Sequence, residues 1–420
     1  MPTSVTKPTE AALAPEEAEA AGFSASRLQR LTHSFSADVD AGVIPGAVVM
    51  ILRDGRPAYR AAFGFRDRQS RSPMHLDSIF RVASMTKPIT VAAAMMLLER
   101  GRLTLADPIS RHLPEFADLQ VGVELTQSAN RERTLATEAA RRAATVHDLM
   151  RHTAGFTYGP YGDSLVQRAY RGAKLIDDQQ SNAELITKLA ALPLAYQPGT
   201  RFEYGMSTDV LGRIVEVVSD SALDRYFADN ILGPLGMRST GFGVAPADLP
   251  RLAEAQPYAA PGPRPAVVPY DPARPVKWYS GGAGLMSTAG DYQRFCQMLL
   301  NGGILDGVRL LSRKSVECMT SNQLPPSIGY GPNTANLGIA APLPELGQGY
   351  GLGLGVRLAR GLSPVPGSVG DYYWGGATGP YFWVDPREKL IAVLMLQELN
   401  AQRRTRYRSL LRDLVYQALD

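Results

Sequence analysis

The stretch from Ser78 to Leu98 constrains the fold more than any other part of this sequence, because it reads as a short loop that runs directly into a buried helix. Pro88 fits a helix only in the first turn, where the backbone N–H needs no partner, so the helix must begin near Ser84. Apolar residues then recur at helical spacing, and Gly101 supplies a stop. Ser84 is therefore predicted to lie at a helix N-terminus, where orphan N–H groups and the helix dipole favour developing negative charge.

Lys87 follows Ser84 by three residues, so the two side chains share one face of the first turn. An amine beside a hydroxyl can accept its proton and so produce a nucleophile. The spacing alone is weak evidence, since Ser4 and Lys7 repeat it in a leader with no apolar helix behind it. The competing interpretation of Ser84 is a helix-capping serine with a solvated lysine one turn later.

The composition is that of a large globular protein, with 420 residues of which 45% are hydrophobic and 20% charged. The net charge of +4 is too mild to demand nucleic acid, and two cysteines form neither a disulfide framework nor a metal cluster. We see no signal peptide and no apolar run approaching the ~18 residues that span a bilayer. We therefore expect a cytoplasmic enzyme with no metal, no other cofactor, and no nucleic-acid or membrane partner; the oligomeric state is left open.

Strand patterns at both ends of the chain flank a helical middle. Residues 47–53 and 57–65 read as a hairpin around Asp54-Gly55, and strands at 371–378, 381–385 and 390–399 read as an antiparallel meander. An amphipathic helix over about 402–419 closes the chain, and its arginines at 403, 404, 406 and 408 are interpreted as a solvated face. A second arginine group, at 131, 133, 141 and 142, is interpreted as a solvated helical face.

These patterns predict an α/β (α+β) fold in which an antiparallel sheet is flanked by helices and joined to a mainly helical domain. The sheet domain is discontinuous, over residues 23–110 and 285–420, and the helical domain covers 111–284. Residues 1–22 carry little to bury and are predicted to be a disordered leader.

Four stretches resemble the serine β-lactamase and penicillin-binding-protein superfamily, and most of all class C β-lactamases and family VIII carboxylesterases. They are Phe80-Arg81-Val82-Ala83-Ser84-Met85-Thr86-Lys87, His152-Thr153-Ala154-Gly155, the approach Pro198-Gly199-Thr200-Arg201-Phe202-Glu203-Tyr204, and the glycine-rich segment from Gly281 to Thr288. The resemblance implies a β-lactamase-like fold. It also implies that Ser84 forms an acyl-enzyme, that Lys87 and Tyr204 share the general-base work, and that the N–H groups of Ser84 and Ala377 form the oxyanion hole. Which of Lys87 and Tyr204 holds the proton is left open.

Two departures from the class C pattern favour an esterase. Met206 stands where those lactamases have the asparagine of Tyr-x-Asn, and Trp374-Gly375-Gly376 replaces their Lys-Thr-Gly. Losing the amide and the cation weakens recognition of an anionic β-lactam, and family VIII esterases show this Trp-Gly-Gly replacement. Trp374, Gly375, Gly376 and Tyr158 are therefore predicted to bind substrate within an apolar, aromatic rim.

The sequence contains no G-x-S-x-G nucleophile elbow, which argues against the α/β-hydrolase fold, and no H-E-x-x-H motif that would support a metal site. The prediction is a serine carboxylesterase that cleaves small-molecule, short-chain acyl esters, with weak activity on β-lactams. A β-lactamase, a DD-peptidase or an acyltransferase with the same machinery remains an alternative. The non-enzymatic alternative is a catalytically silent penicillin-binding-like module.

Overall fold

The computed structural model describes residues 8–11, 14–126, 133–254, 274–332 and 334–420. Its centre is a nine-stranded antiparallel sheet of order β1-β3-β2-β17-β16-β15-β14-β13, in which β4 also pairs with β3. The strands are β1 Glu10–Ala11, β2 Gly46–Arg53, β3 Arg56–Asp67, β4 Ser72–Pro73, β5 Phe80–Arg81, β6 Gln120–Thr126, β7 Arg133–Ala139, β8 Arg201–Phe202, β9 Met286–Ser287, β10 Ile304–Leu305, β11 Val308–Arg309, β12 Gly329–Tyr330, β13 Gln348–Tyr350, β14 Gly355–Arg357, β15 Tyr372–Gly375, β16 Tyr381–Asp385 and β17 Leu390–Leu396.

The two ends of the chain meet in the middle of this sheet. The predicted hairpin forms from β2 and β3, whose turn places Asp54 at φ 51° and Gly55 at φ 73°, as a tight hairpin turn requires. Strand β17 then pairs with β2 along its whole length, from Ala47 opposite Leu396 to Arg53 opposite Leu390. The predicted meander is β15, β16 and β17, so both strand predictions are confirmed.

Helices pack against the sheet and against one another. They are α1 Pro15–Ala20, α2 Ala25–Asp40, α3 Thr86–Glu99, α4 Val146–Met150, α5 Leu165–Gly172, α6 Asn182–Ala190, α7 Ser207–Ser219, α8 Leu223–Phe227, α9 Ala289–Leu300, α10 Arg313–Met319 and α11 Ala401–Tyr416. Helix α9 contacts β17 and β2, while α11 contacts α2. Helix α3 is buried from Thr86 to Leu97, as predicted from its continuous apolar sequence. No helix in these described ranges is both long and apolar enough to cross a membrane.

The predicted disordered leader is wrong where the structure describes it. Helix α1 is capped by the Glu17 carboxylate, which accepts from the Ala14 N–H at 2.9 Å. Ala18 and Ala21 are buried, and Arg53 donates to the carbonyl of Gly22 at 2.9 Å. Alanine side chains are large enough to bury this segment because α1 packs against β3 and α2, which cover them. Residues 1–7 and 12–13, which include the Ser4 to Lys7 repeat, lie outside the described residues.

The segment 111–284 is less purely helical than predicted. It contains α4 to α8, but β6 and β7 form an exposed antiparallel hairpin where a polar helical face was expected. Arg133 of β7 pairs across the strands with Glu124 of β6, which gives a polar hairpin its cross-strand support. Arg131 and residues 255–273 of the proline-rich loop lie outside the described residues. One apolar core runs through this segment and the sheet, and the domain division itself stays a prediction.

Candidate active site

Ser84 lies in a 3₁₀ turn, Ala83–Met85, that leads from β5 into α3, close to the predicted helix start. Ala83 adopts φ 45°, a left-handed conformation that is strained for a residue with a side chain. The Thr86 hydroxyl holds the turn, because it donates to the Ala83 carbonyl at 2.7 Å and accepts from the Leu285 N–H at 3.1 Å. Ser84 is partly exposed and lines a cavity of about 580 Å³.

Lys87 is fully buried one turn after the serine, and its side-chain nitrogen has three hydrogen-bond partners. The Nζ atom lies 3.3 Å from Ser84 Oγ, 3.2 Å from the Tyr158 hydroxyl and 2.7 Å from the Gly282 carbonyl oxygen. This geometry places an amine in direct contact with the candidate nucleophile. A proton can therefore pass between them without any rearrangement of the backbone.

Tyr204 contacts Lys87 through its aromatic ring rather than through its hydroxyl. The Lys87 Nζ lies 4.8 Å from the centroid of the Tyr204 ring, within the range of a cation–π contact. The Tyr204 hydroxyl has no hydrogen-bond partner among the described residues. Tyr158 takes the lysine's hydrogen bond instead, and burial raises the pKa of its phenol well above the usual value. Tyr158 therefore stays protonated at neutral pH.

The His152 ring packs against the Tyr204 ring and is neutral at pH 7. Its carbonyl accepts from the Glu203 N–H at 2.9 Å, and its ring centroid lies 4.8 Å from that of Tyr204. Burial lowers the pKa of His152 well below the usual value, and the charge of Lys87 adds to the effect. The residue adopts φ 55°, so the chain turns sharply at this point. The histidine positions the Tyr204 segment, and among the described residues no hydrogen bond joins its ring to Ser84.

Sequence reasoning missed Asp209, which is fully buried in the first turn of α7. Its carboxylate accepts from the Ser280 hydroxyl at 2.5 Å and from the Gly282 N–H at 3.1 Å. Burial raises the pKa of Asp209, while the charge of Lys87 opposes that shift. Asp209 thus holds Gly282 through its N–H, while the carbonyl of the same residue accepts from Lys87. The only signal in the sequence was an acidic residue just after Tyr204, which looks like an ordinary first-turn acid.

Residues 281 and 282 are glycines because the backbone there passes between α3 and α7 with no room for side chains. A Cβ atom on Gly281 would lie 2.7 Å from the Thr208 carbonyl oxygen, and one on Gly282 would collide with the Asp209 carboxylate. The Thr90 hydroxyl donates to the Gly281 carbonyl at 2.6 Å from the other side. Side chains at these positions would push Lys87 away from its carbonyl acceptor.

The Trp374-Gly375-Gly376-Ala377 stretch ends β15 beside the nucleophile. Trp374 is buried, and its ring packs on Tyr204 at 5.4 Å between centroids. A Cβ atom on Gly376 would lie 2.5 Å from the Val82 carbonyl oxygen, so the two turns touch. Ala377 lines the same cavity as Ser84, and neither N–H donates to an acceptor within the described ranges.

The cavity wall is more charged than the predicted apolar rim. Its aromatic members are Tyr158, Tyr161, Tyr204, Trp278 and Trp374, but Arg81, Arg404, Arg408, Asp177 and Asp178 also line it. The interpretation of the arginines on α11 as a solvated face is wrong for Arg408, which is 9% exposed. Helical periodicity places residues 404 and 408 on one face. Only the packing of α11 shows that this face turns inward.

The sequence profile of the family described as Beta-lactamase matches residues 31–417. The chain belongs to the beta-lactamase family. It is 38% identical over 367 residues to Protein Rv1367c of Mycobacterium tuberculosis, covering 85% of this chain and 87% of that protein. It is 30% identical over 400 residues to Esterase EstB of Burkholderia gladioli, covering 89% and 90% of the two chains.

A solved structure agrees with this assignment. The structure of EstCE1, described as a hydrolase with promiscuous acyltransferase activity, superposes with a TM-score of 0.74 at 26% identity, covering 96% of this chain and 100% of that one. The predicted fold class, an antiparallel sheet flanked by helices in a β-lactamase-like arrangement, is confirmed. As a member of this family the chain falls within the serine hydrolase superfamily.

Proposed function

We propose that this protein is a serine carboxylesterase of family VIII type that cleaves short-chain acyl esters through an acyl-enzyme on Ser84. The observation that carries the proposal is the 3.3 Å contact between Lys87 Nζ and Ser84 Oγ at the wall of a cavity rich in tyrosine and tryptophan. Esterase EstB shares 30% of its residues over nearly the whole chain, which supports an ester as the substrate.

In the proposed reaction Lys87 acts as a neutral amine. Ser84 Oγ attacks the ester carbonyl while its proton passes to that amine, with Tyr204 assisting, and the N–H groups of Ser84 and Ala377 stabilise the oxyanion. Collapse of the tetrahedral intermediate breaks the ester C–O bond, and the alcohol leaves with the proton. Water then attacks the acyl-enzyme by the same route, which releases the acid and restores the Ser84 hydroxyl.

A neutral ester fits the wall even though arginines line it. The guanidinium of Arg408 donates to the Gly376 carbonyl at 2.6 Å, and that of Arg404 donates to the Leu399 carbonyl at 2.6 Å. Both cations are therefore engaged by the backbone. The aromatic side chains remain to contact the acyl group and the alcohol, which favours a small uncharged substrate.

Hydrolysis of p-nitrophenyl butyrate and of a chromogenic cephalosporin, measured side by side, tests the proposal. Ester hydrolysis by the wild type should be lost in Ser84→Ala, because the nucleophile is gone, while the thermal midpoint stays close to that of the wild type. Ser4→Ala alters the other S-x-x-K copy and serves as the matched control, with activity unchanged.

Other outcomes would overturn the assignment. Dominant cephalosporin turnover would make the protein a β-lactamase and would show that Met206 and Trp374 do not exclude lactams. Turnover of neither substrate would favour a silent penicillin-binding-like module. Full ester hydrolysis in Ser84→Ala would remove the serine from the mechanism.

Acyl transfer to an alcohol is a second candidate, favoured by the cavity of about 580 Å³, which has room for an acyl group and an alcohol together. EstCE1 is described as having promiscuous acyltransferase activity. Adding benzyl alcohol to the butyrate assay and measuring benzyl butyrate against butyric acid separates the two activities. Acid as the sole product would reject acyl transfer.

A further inference from the structure

We propose that Arg408 is a positioning residue that orients the Ala377 N–H, the proposed oxyanion donor, by binding the Gly376 carbonyl of the same peptide. The oxyanion turn, residues 375–380, connects β15 to β16 and carries Ala377. Arg408 reaches it from α11, far along the chain, and donates to the Gly376 carbonyl of the turn. The inference rests on the proposed function, since it assumes that this N–H stabilises an oxyanion.

Arg408 contacts the peptide group between Gly376 and Ala377, which carries the proposed oxyanion donor. Arg408 Nη2 donates to the Gly376 carbonyl oxygen at 2.6 Å, with a longer contact of 3.4 Å to the Pro380 carbonyl oxygen. The Gly376 carbonyl and the Ala377 N–H belong to one planar trans peptide, so they point in opposite directions. Fixing the oxygen therefore fixes the direction of the N–H. A charged donor on the oxygen also polarises the amide and strengthens the N–H as a donor.

The glycine at position 375 of the oxyanion turn leaves room for the Arg408 guanidinium. The Gly376 N–H donates to the Pro380 carbonyl at 2.8 Å, and the Gly379 N–H donates to the Gly376 carbonyl at 3.1 Å, so the turn is closed by its own backbone. A Cβ atom on Gly375 would lie 2.8 Å from both Cζ and Nη2 of Arg408. Glycine at 375 is thus required by the arginine that passes over it.

Burying the Arg408 guanidinium costs desolvation free energy, so its position beside the oxyanion turn calls for a functional explanation. Arg408 is 9% exposed, and within the described residues it forms no ion pair. Burial lowers its pKa to about 10, and the charge of Arg404 acts in the same direction, so the guanidinium still stays charged at neutral pH. Its compensation comes from the two carbonyls and from the face of Tyr381, whose ring centroid lies 5.6 Å from Cζ.

Arg408→Gln tests the inference through two readouts on the folded enzyme. With p-nitrophenyl butyrate, kcat should fall about 10- to 100-fold with little change in KM, because a displaced oxyanion donor weakens the transition state rather than the bound ester. The inhibition constant of an alkyl trifluoromethyl ketone, whose serine adduct carries an oxyanion, should rise by a similar factor. Arg408→Lys should recover part of both losses. Arg406→Gln, the same change at an exposed position of α11, is the matched control.

Gly375→Ala is the second variant, because its methyl group displaces the guanidinium while the arginine remains, and it should reproduce both losses if Arg408→Gln fails to fold. Unchanged kcat and ketone inhibition in either folded variant would overturn the inference. A rise in KM at constant kcat would also overturn it, since that result assigns Arg408 to substrate binding. A wild type that neither cleaves the ester nor binds the ketone would instead reject the proposed function itself.

Discussion

Two tyrosines flank the lysine that would activate Ser84, and they contact it in different ways. Tyr158 makes a 3.2 Å hydrogen bond to Lys87 Nζ through its hydroxyl, while Tyr204 presents its ring face at 4.8 Å. The Tyr204 hydroxyl is left without a partner within the described residues. A hydroxyl free of other bonds can exchange a proton with a substrate oxygen. Tyr158 is better suited to orient the lysine.

Conversion of each tyrosine to phenylalanine separates these roles. Tyr204→Phe should lower kcat for p-nitrophenyl butyrate by about 10²–10⁴-fold, the range for loss of a general acid–base group. Tyr158→Phe should lower it only about tenfold, the loss of one hydrogen bond to a charged group. Tyr226→Phe, a buried tyrosine outside the cavity, is the control. A larger loss in Tyr158→Phe than in Tyr204→Phe would reverse the two roles.

Helix α4 is only five residues long, and Asp148 holds it in place. The Asp148 carboxylate accepts from the Thr145 N–H at 3.0 Å in a capping box, and it also binds Arg142 at 2.5 Å, Arg151 at 3.1 Å and the Thr153 hydroxyl at 2.8 Å. Burial alone would raise the pKa of Asp148, but the hydrogen bonds from Arg142 and Thr153 lower it to about 2. The helix leads directly into His152, which supports Tyr204.

This lowered pKa predicts how stability depends on pH. The folded pKa of Asp148, about 2, lies below the unfolded value of about 3.9, so the carboxylate contributes about 3 kcal/mol of stability above pH 4. This contribution is lost as the pH falls toward 2. Asp148→Asn should therefore lower the free energy of unfolding by at least that amount at pH 7, and the difference from wild type should shrink toward pH 2. Urea unfolding at several pH values measures it. The hydrogen bond from Arg168 also lowers the pKa of Asp163, but this pair is exposed and screened by water, so Asp163→Asn should show a much smaller pH-dependent difference.

A buried charge network ties the last helix to the sheet. Asp371 accepts from Arg357 Nε at 3.0 Å and from Arg412 Nη1 at 2.8 Å, and these side chains are at most 3% exposed. Arg357 belongs to β14 and Arg412 to α11, so one carboxylate joins elements from separate parts of the fold. The same helix carries Arg408 to the oxyanion turn.

Removal of the shared carboxylate should destabilise the whole molecule. Asp371→Asn leaves two buried guanidiniums without their counter-charge, and we expect the free energy of unfolding to fall by about 3–5 kcal/mol. Urea unfolding at pH 7 measures the change. Asp54→Asn, at an exposed pair with Lys389, serves as the control and should have little effect. A loss as small as that of the control would show that the network does not bind α11 to the sheet.

Local pattern was sufficient where a structural element depends on its own residues. The hairpin at Asp54-Gly55 and the meander over β15 to β17 follow from alternation and turn residues, which the chain carries locally. The neighbouring positions of Ser84 and Lys87 follow from helix geometry, which needs no tertiary information. The roles proposed for these two residues and for Tyr204 stay predictions until they are measured.

From the sequence by itself, the resemblance of four stretches indicated the family, and the order of strand and helix patterns indicated the fold class. The pairing of a serine with a lysine on one helical turn followed from short-range spacing. Only the tertiary structure decided that Asp209 binds the N–H of Gly282, the residue whose carbonyl accepts from Lys87, that Tyr158 binds the lysine, and that Arg408 donates to the Gly376 carbonyl. These contacts join residues that are 32 to 195 positions apart. Whether such an arginine meets water or a backbone carbonyl depends on what packs over it, and that is set by the whole fold.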